Sequence, residues 1–465
     1  GNAAMKINDA KGDPIRDRAG NLVIDQRKPY QEGMTFRCKL DGSDLETLGW
    51  NFRNPWMVTV DSFGNVWQSD NDDDGNRGVR INFVMEFGNY GYRNELYGGN
   101  WREFRTGWHS EIPLRHWHLN DPGVVPNLLQ TGGGSPTGIT IYEGKLLPQK
   151  YHGQLLHCDS GPSVVRCYHV SSEGAGYRAE SSDILSGERN QWFRPCDVKV
   201  APDGSIIVAD WYDPGVGGHG MGDFKRGRIF RVTPPGKGNI YKVPQFDFST
   251  ADSSALALTN PNLATRALAW QRLVEFNSKA EPALRKLWQS EEQHLRARAL
   301  WLLCNGTNAE NQFLREALND DDPQLRILAL RIARRHQWDV LPIIEELTSD
   351  QSPQVRREVA IALAELDDPQ VPELWAKLAE QHDYADRWML EALGIAARGR
   401  WDACLNAWLE AVGKKWSSPA GRDIVWRSRS RQTPALLAKL IIAADQNNEP
   451  TTRYIRAFDF QTAPD

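Results

Sequence analysis

The densest polar run in the chain is Asp70-Asn71-Asp72-Asp73-Asp74-Gly75-Asn76. Carboxylates at alternate positions, Asp70, Asp72 and Asp74, followed by a glycine at the sixth, let a tight loop turn several oxygens onto one hard cation. Calcium is the natural ion for such a loop. Four aspartates within five residues also repel one another unless something compensates their charge. The twelfth position is Ile81 and not a glutamate, which excludes an EF-hand. A solvated acidic turn is the alternative.

A second set is built on arginine. Arg53-Asn54-Pro55 stands directly before the apolar stretch Met57–Val60, and Arg194, with Asp197 close behind, stands the same way before the run from Val198 to Asp210. Two arginines presented to one face could clamp an anionic ligand through paired N–H donors. Each could equally bond a neighbouring unit of structure. Among the histidines, His116 and His118 in Gly107–Leu119 read as alternate residues of a strand facing one side, able to act as a ligand pair or a base, or simply to pack. His219, in the glycine-rich segment Asp213–Asp223, is the candidate proton acceptor; no other catalytic residue is assigned. The six cysteines have no C-x-x-C spacing, so structural zinc and haem attachment are not indicated. Buried thiols are the expected state, and Cys158 with Cys167 is the pair to test for a bridge.

The elements that must position these residues fall into two halves. Up to about residue 240, short apolar runs alternate with Gly, Asp, Asn and Pro, the pattern of antiparallel strands. An apolar strand, a tight turn containing Asp and Gly, and a second apolar strand recur at Val58–Val66 and Val198–Ile206. Repeated hairpins of this kind predict blades of a β-propeller, with a sandwich as the alternative. Three clear blades and a partial one fit before residue 240, so part of the ring is expected upstream. From about residue 256 the period becomes helical. Arg266, Arg296, Arg326 and Arg356 recur every 30 residues and Arg387 follows after 31. This predicts an α-solenoid of paired helices resembling HEAT repeats, with each recurrent arginine bonding helix-end carbonyls or aspartates of its neighbour. The expected division is 1–235 for the propeller part, 236–255 for a linker and 256–465 for the solenoid.

The whole chain of 465 residues carries 55 Lys and Arg against 60 Asp and Glu. Neither half has the basic excess that binding a phosphate backbone needs, which argues against nucleic acid. No apolar run approaches the roughly 20 residues needed to cross a bilayer. The N-terminus has no charged-then-apolar signal pattern, and the chain reads as part of a longer product.

Three motifs carry a resemblance: Phe52-Arg53-Asn54-Pro55, Ser135-Pro136-Thr137-Gly138-Ile139, and the run from Arg194-Pro195-Cys196-Asp197 to Asp210. Together they resemble the glucose/sorbosone dehydrogenase family, six-bladed propellers that bind pyrroloquinoline quinone. The resemblance implies that Arg53 and Asn54 contact the quinone and that Arg194 is the first arginine of an R-x-R-D-V motif. Cys196 stands where the family has the second, and the family's base-bearing H-x-G-G motif is missing. With the run Asp70–Gly78, Phe87-Gly88-Asn89-Tyr90-Gly91-Tyr92-Arg93 and Ala209-Asp210-Trp211-Tyr212-Asp213-Pro214-Gly215, the chain is more similar still to a branch of large exported proteins of Planctomycetes and related bacteria, in which such a propeller is followed by HEAT-type repeats and often by a cytochrome c domain. That implies a periplasmic or extracellular location. The leading expectation is a quinoprotein-type sugar or aldose dehydrogenase module using quinone and calcium. The rival is a non-catalytic scaffold whose propeller binds carbohydrate and whose solenoid binds a protein partner.

Overall fold

The computed structural model describes residues 8–24, 28–72, 78–215, 225–237, 241, 244–305 and 310–461. Within these, the strands form four sheets. The first holds β1 (Gly33–Arg37), β2 (Glu46–Phe52) and, running parallel to β2, β6 (Gly88–Asn89). The second is β3 (Pro55–Val60), β4 (Val66–Asp70), β5 (Val79–Phe83) and β7 (Leu129–Gly132) in that order. The third is β8 (Pro136–Tyr142), β9 (Gln154–Asp159), β10 (Val164–Glu173) and β11 (Gly176–Ser186). The fourth is β12 (Pro195–Val200), β13 (Ile206–Asp210) and β14 (Arg228–Val232).

The last three sheets are antiparallel meanders whose first strands, β3, β8 and β12, lie side by side. Stacking of first strands with later strands fanning outward is the arrangement of propeller blades. The turn chemistry matches the hairpin signals. In the β3–β4 turn Asp61 accepts the N–H groups of Phe63 and Asn65 at 2.9 Å, and Gly64 takes the left-handed backbone that the turn requires (φ 84°). The β12–β13 turn repeats this with Asp203 and Gly204.

The solenoid begins at Ala251, where Thr250 and Ser253 form a reciprocal cap. Its second helices, Leu263–Phe276, Gln293–Leu303, Pro323–Arg335, Pro353–Leu363 and Arg387–Ala396, carry the five recurrent arginines. Arg326 bonds both oxygens of Asp350 at 2.7 and 2.8 Å, and Arg296 reaches Asp320 in the same way, one repeat further on. Arg356 bonds the carbonyls of Asp350 and Gln351. Arg266 and Arg387 instead cross to the sheets, at Glu143 and at the carbonyls of Leu119 and Val124.

Those second helices lie on the sheets. Arg298 bonds Glu143 and Ser62, Arg331 bonds Asn65 and Glu358, Arg334 bonds Glu86, Gln354 and Arg357 bond the carbonyls of Gly176 and Ala175, and Arg456 grips Asp121. The apolar core is continuous across the junction. Trp388 lies so close over Gly176 that a Cβ there would stand 2.0 Å from its ring. Most of these anchor points, namely Ser62, Asn65, Glu86, Glu143 and Ala175–Gly176, lie at one end of the blades, opposite the end where β3, β8 and β12 begin. The face of the solenoid made by these second helices is therefore occupied by the chain's own sheets.

Two local expectations differ from the structure. His116 and His118 do not alternate on a strand: His116 ends a short helix, Ile112–His116, and His118 sits beyond it with left-handed backbone (φ 52°). A three-residue alternation is too short to separate strand from helix end. Cys158 and Cys167 are both buried and both free, because Cys158 pairs with Val165 and Cys167 with Leu156, a diagonal relation.

Candidate functional site at the strand starts

The end of the blades that the solenoid leaves uncovered is built on one repeated device. The second strand of each blade ends in a buried aspartate: Asp70 in β4, Asp159 in β9 and Asp210 in β13. Each accepts backbone N–H groups from the segment entering its own first strand. Asp70 takes Arg53 and Asn54 (3.1 and 2.7 Å), Asp159 takes Ser135 (2.6 Å) and Asp210 takes Arg194 (2.8 Å). Each is then met by an arginine from the third strand: Arg80 on Asp70, Arg166 on Asp159 at 3.4 Å, and Arg228 on Asp210 at 2.7 Å. The carboxylate thus satisfies amides that strand pairing leaves open, and the arginine compensates its charge. Burial pushes the Asp159 carboxyl up to about 6 despite Arg166.

This device settles where the expected site residues sit. Asp70 has both oxygens engaged, Oδ2 by Arg80 and Oδ1 by Asn54 N–H. Asp72 accepts Gly78 N–H at 2.8 Å and faces His116 Nε2 at 3.5 Å. Asp74 and His219 lie outside the described residues. Among the described residues no three His, Cys, Asp or Glu side chains group as a metal site requires. His116 is buried against the edge of Trp117; burial, with Arg80 nearby, brings it down to about 2, and burial brings His118 to about 4. Both rings are neutral at neutral pH.

Arg53 is buried and bonds the Asn71 carbonyl at 3.1 Å. The Arg194 guanidinium is closed on the protein: Nε on Asp213 O (3.0 Å), Nη1 on Ser160 O and Ser163 Oγ (3.0 and 2.7 Å), Nη2 on Pro214 O (3.2 Å). Cys196 Sγ turns to the Ala209 carbonyl. A quinone with several carboxylates needs open cationic donors and, for a calcium-assisted carbonyl, a shared carboxylate site. The described residues do not fit it: Arg194 holds a loop together and Asp70 is held by Arg80. The sequence reading missed Arg80, although an arginine ten residues after Asp70 in the next strand was the available signal.

What this end offers outward is aromatic. Trp192, 37% exposed, and Tyr212 stand 5.5 Å apart, with Arg226 over both rings and Arg228 over Tyr212. Tyr212 is held in left-handed backbone (φ 58°) by its N–H on Asp210, a strained setting for a bulky residue that surrounding bonds must fix. Asp213 beside it is fully buried, with Oδ1 accepting Gly215 N–H and no hydrogen-bond partner on Oδ2 among the described residues.

Comparison with known proteins gives two family matches: a family described as "Domain of unknown function (DUF7133)" over residues 11–247, and HEAT repeats over residues 311–394. No curated protein matches the chain. Solved structures similar to it include an oxidoreductase (glucose dehydrogenase) from Thermus thermophilus, 20% identical over 40% of this chain and 46% of that one, with a TM-score of 0.28. The PQQ-bound aldose sugar dehydrogenase of Streptomyces coelicolor is 18% identical over 42% and 47%, TM-score 0.28. The apo-form soluble aldose sugar dehydrogenase of Escherichia coli is 18% identical over 37% and 46%, TM-score 0.26. The chain spans about half the length of each of these, and likeness at this level transfers no chemistry. The first family match covers just over half of the chain, and the chain belongs to that family, the domain of unknown function DUF7133, here followed by HEAT repeats.

Proposed function

We propose that this chain is a carbohydrate-binding propeller–solenoid scaffold of an exported protein and that it does not oxidise sugar with pyrroloquinoline quinone and calcium. The observation that carries the reading is the closed guanidinium of Arg194, whose donors are engaged by main-chain carbonyls and Ser163. Opening it would leave the buried carbonyls of Ser160 and Asp213 unpaired, at about 1–3 kcal/mol each. The binding half of the reading rests on Trp192 and Tyr212. A part-exposed pair of aromatic rings flanked by the guanidinium groups of Arg226 and Arg228 can stack on a sugar ring while the arginine N–H groups bond its hydroxyls. The solenoid supports the same reading, because its inner face already holds the sheets and so stiffens the end away from the site.

The test is calorimetric titration of the chain with neutral mono- and oligosaccharides, wild type against Trp192→Ala. Binding that falls at least about fivefold in the variant supports the reading, since a stacked aromatic contact is worth on the order of 1 kcal/mol. Sugar-dependent reduction of a dye by the quinone-loaded chain overturns it.

A further inference from the structure

Two cavities of about 640 Å³ each lie between the first sheet and the solenoid, and Trp50 and Arg398 line both. That volume is in the range of small-ligand sites. Trp50 is 6% exposed, and its indole Nε1–H is buried with no hydrogen-bond partner among the described residues. An orphaned buried donor is costly and uncommon. Arg398 is exposed on the solenoid side; it donates one long bond, 3.3 Å, to the Phe87 carbonyl. Among the described residues no carboxylate lies within ion-pair distance of it.

The second cavity is strongly basic. Lys28, Arg398, Arg427 and Arg429 line it against Glu95. Arg427 is held by Glu391 and Arg429 by Glu95; among the described residues Arg398 and Lys28 form no ion pair, although Glu95 across the same cavity attracts Arg398. Trp401 supplies an apolar wall beside Trp50.

We infer that this junction is a binding site for a sugar-sized organic anion, its acidic group seated on the Arg398 guanidinium and the Trp50 Nε1–H. A carboxylate or a phosphate accepts several N–H donors at once, and Arg398 and Trp50 line the same two cavities. The ring body packs against Trp50 and Trp401. The site lies between the first sheet and the solenoid and does not rest on the reading proposed for Trp192 and Tyr212.

The test is calorimetry on the full chain in the Trp192→Ala background, which removes sugar binding at the strand starts. The probes are glucuronate, glucose 6-phosphate, glucose and inorganic phosphate. At least one of the two acidic sugars binds, and which one distinguishes carboxylate from phosphate; glucose and inorganic phosphate bind at least about tenfold more weakly. Arg398→Gln lowers acidic-sugar affinity at least about tenfold, as loss of a charged hydrogen bond should. Because Arg398 makes only one long bond to the protein, this variant keeps its thermal midpoint. Trp50→Phe lowers affinity several-fold, and added salt weakens binding. The inference is overturned if neither acidic sugar binds, if Arg398→Gln binds them as wild type does, or if inorganic phosphate binds equally well.

Discussion

Arg80 grips Asp70 through Nε and Nη2 at 3.0 and 2.7 Å, and neither side chain is exposed. Arg80 also stacks 3.5 Å over the Trp117 ring and bonds the Tyr90 carbonyl. The aspartate that looked like the first ligand of a cation loop is therefore the hinge between strand, turn and helix end.

Replacing Asp70 with Asn leaves Arg80 buried without its counter-charge. Breaking a buried pair in this way costs about 3–5 kcal/mol, so Asp70→Asn lowers the thermal midpoint by many degrees. Calcium neither raises the wild-type midpoint nor rescues the variant, as scanning calorimetry with calcium or chelator will show.

Acid is predicted to destabilise the fold. Burial holds His116, His118 and His157 at about 2, 4 and 3, well below the ordinary 6.5. Groups with depressed folded values contribute stability above 6.5 and lose it as pH falls. Asp61, raised by burial and Glu143, and Asp159, raised by burial, stand at about 6 and oppose this, being better tolerated when protonated. Near pH 5 these five groups leave the unfolded chain about one proton richer, which makes stability rise by about 1.4 kcal/mol per pH unit. Urea midpoints measured between pH 4.5 and 6.5 should climb; a flat or falling series contradicts the assignment.

The solenoid and sheets are predicted to unfold together. Glu143, which Arg298 and Arg266 bring down to about 2 against its burial, ties both arginines to the β8 end. Gly176→Ala forces a methyl into the Trp388 ring, an overpacking worth about 1–3 kcal/mol. Both Glu143→Gln and Gly176→Ala should lower the wild-type transition, and in either variant the single denaturant transition should broaden or split. Unchanged transitions would mean that the two halves are energetically separate.

Much of the architecture was legible because it is local. The turns at Gly64 and Gly204 follow from Asp and Gly chemistry, and the 30-residue arginine period follows from one helix pair per repeat, with Asp320 and Asp350 as the partners one repeat further on. The site was less legible because its partners are non-local. Nothing in the run Asp70–Asn76 says that Arg80 takes its first carboxylate, and nothing around Arg194 says that the carbonyls of Ser160, Asp213 and Pro214 close on it. The covering of the solenoid's inner face was invisible for the same reason, since it pairs residues such as Arg298 and Glu143 across 155 positions.

The measurement that bears most directly on the central claim is a fluorescence titration of the chain with pyrroloquinoline quinone, with and without calcium, followed by dye reduction with glucose. The closed Arg194 and the engaged Asp70 predict a dissociation constant weaker than about 0.1 mM, less than about 5.5 kcal/mol of binding, with no effect of calcium and no sugar-dependent turnover. Tight, calcium-dependent binding that is lost in Arg194→Ala, accompanied by reduction of the dye, would contradict it.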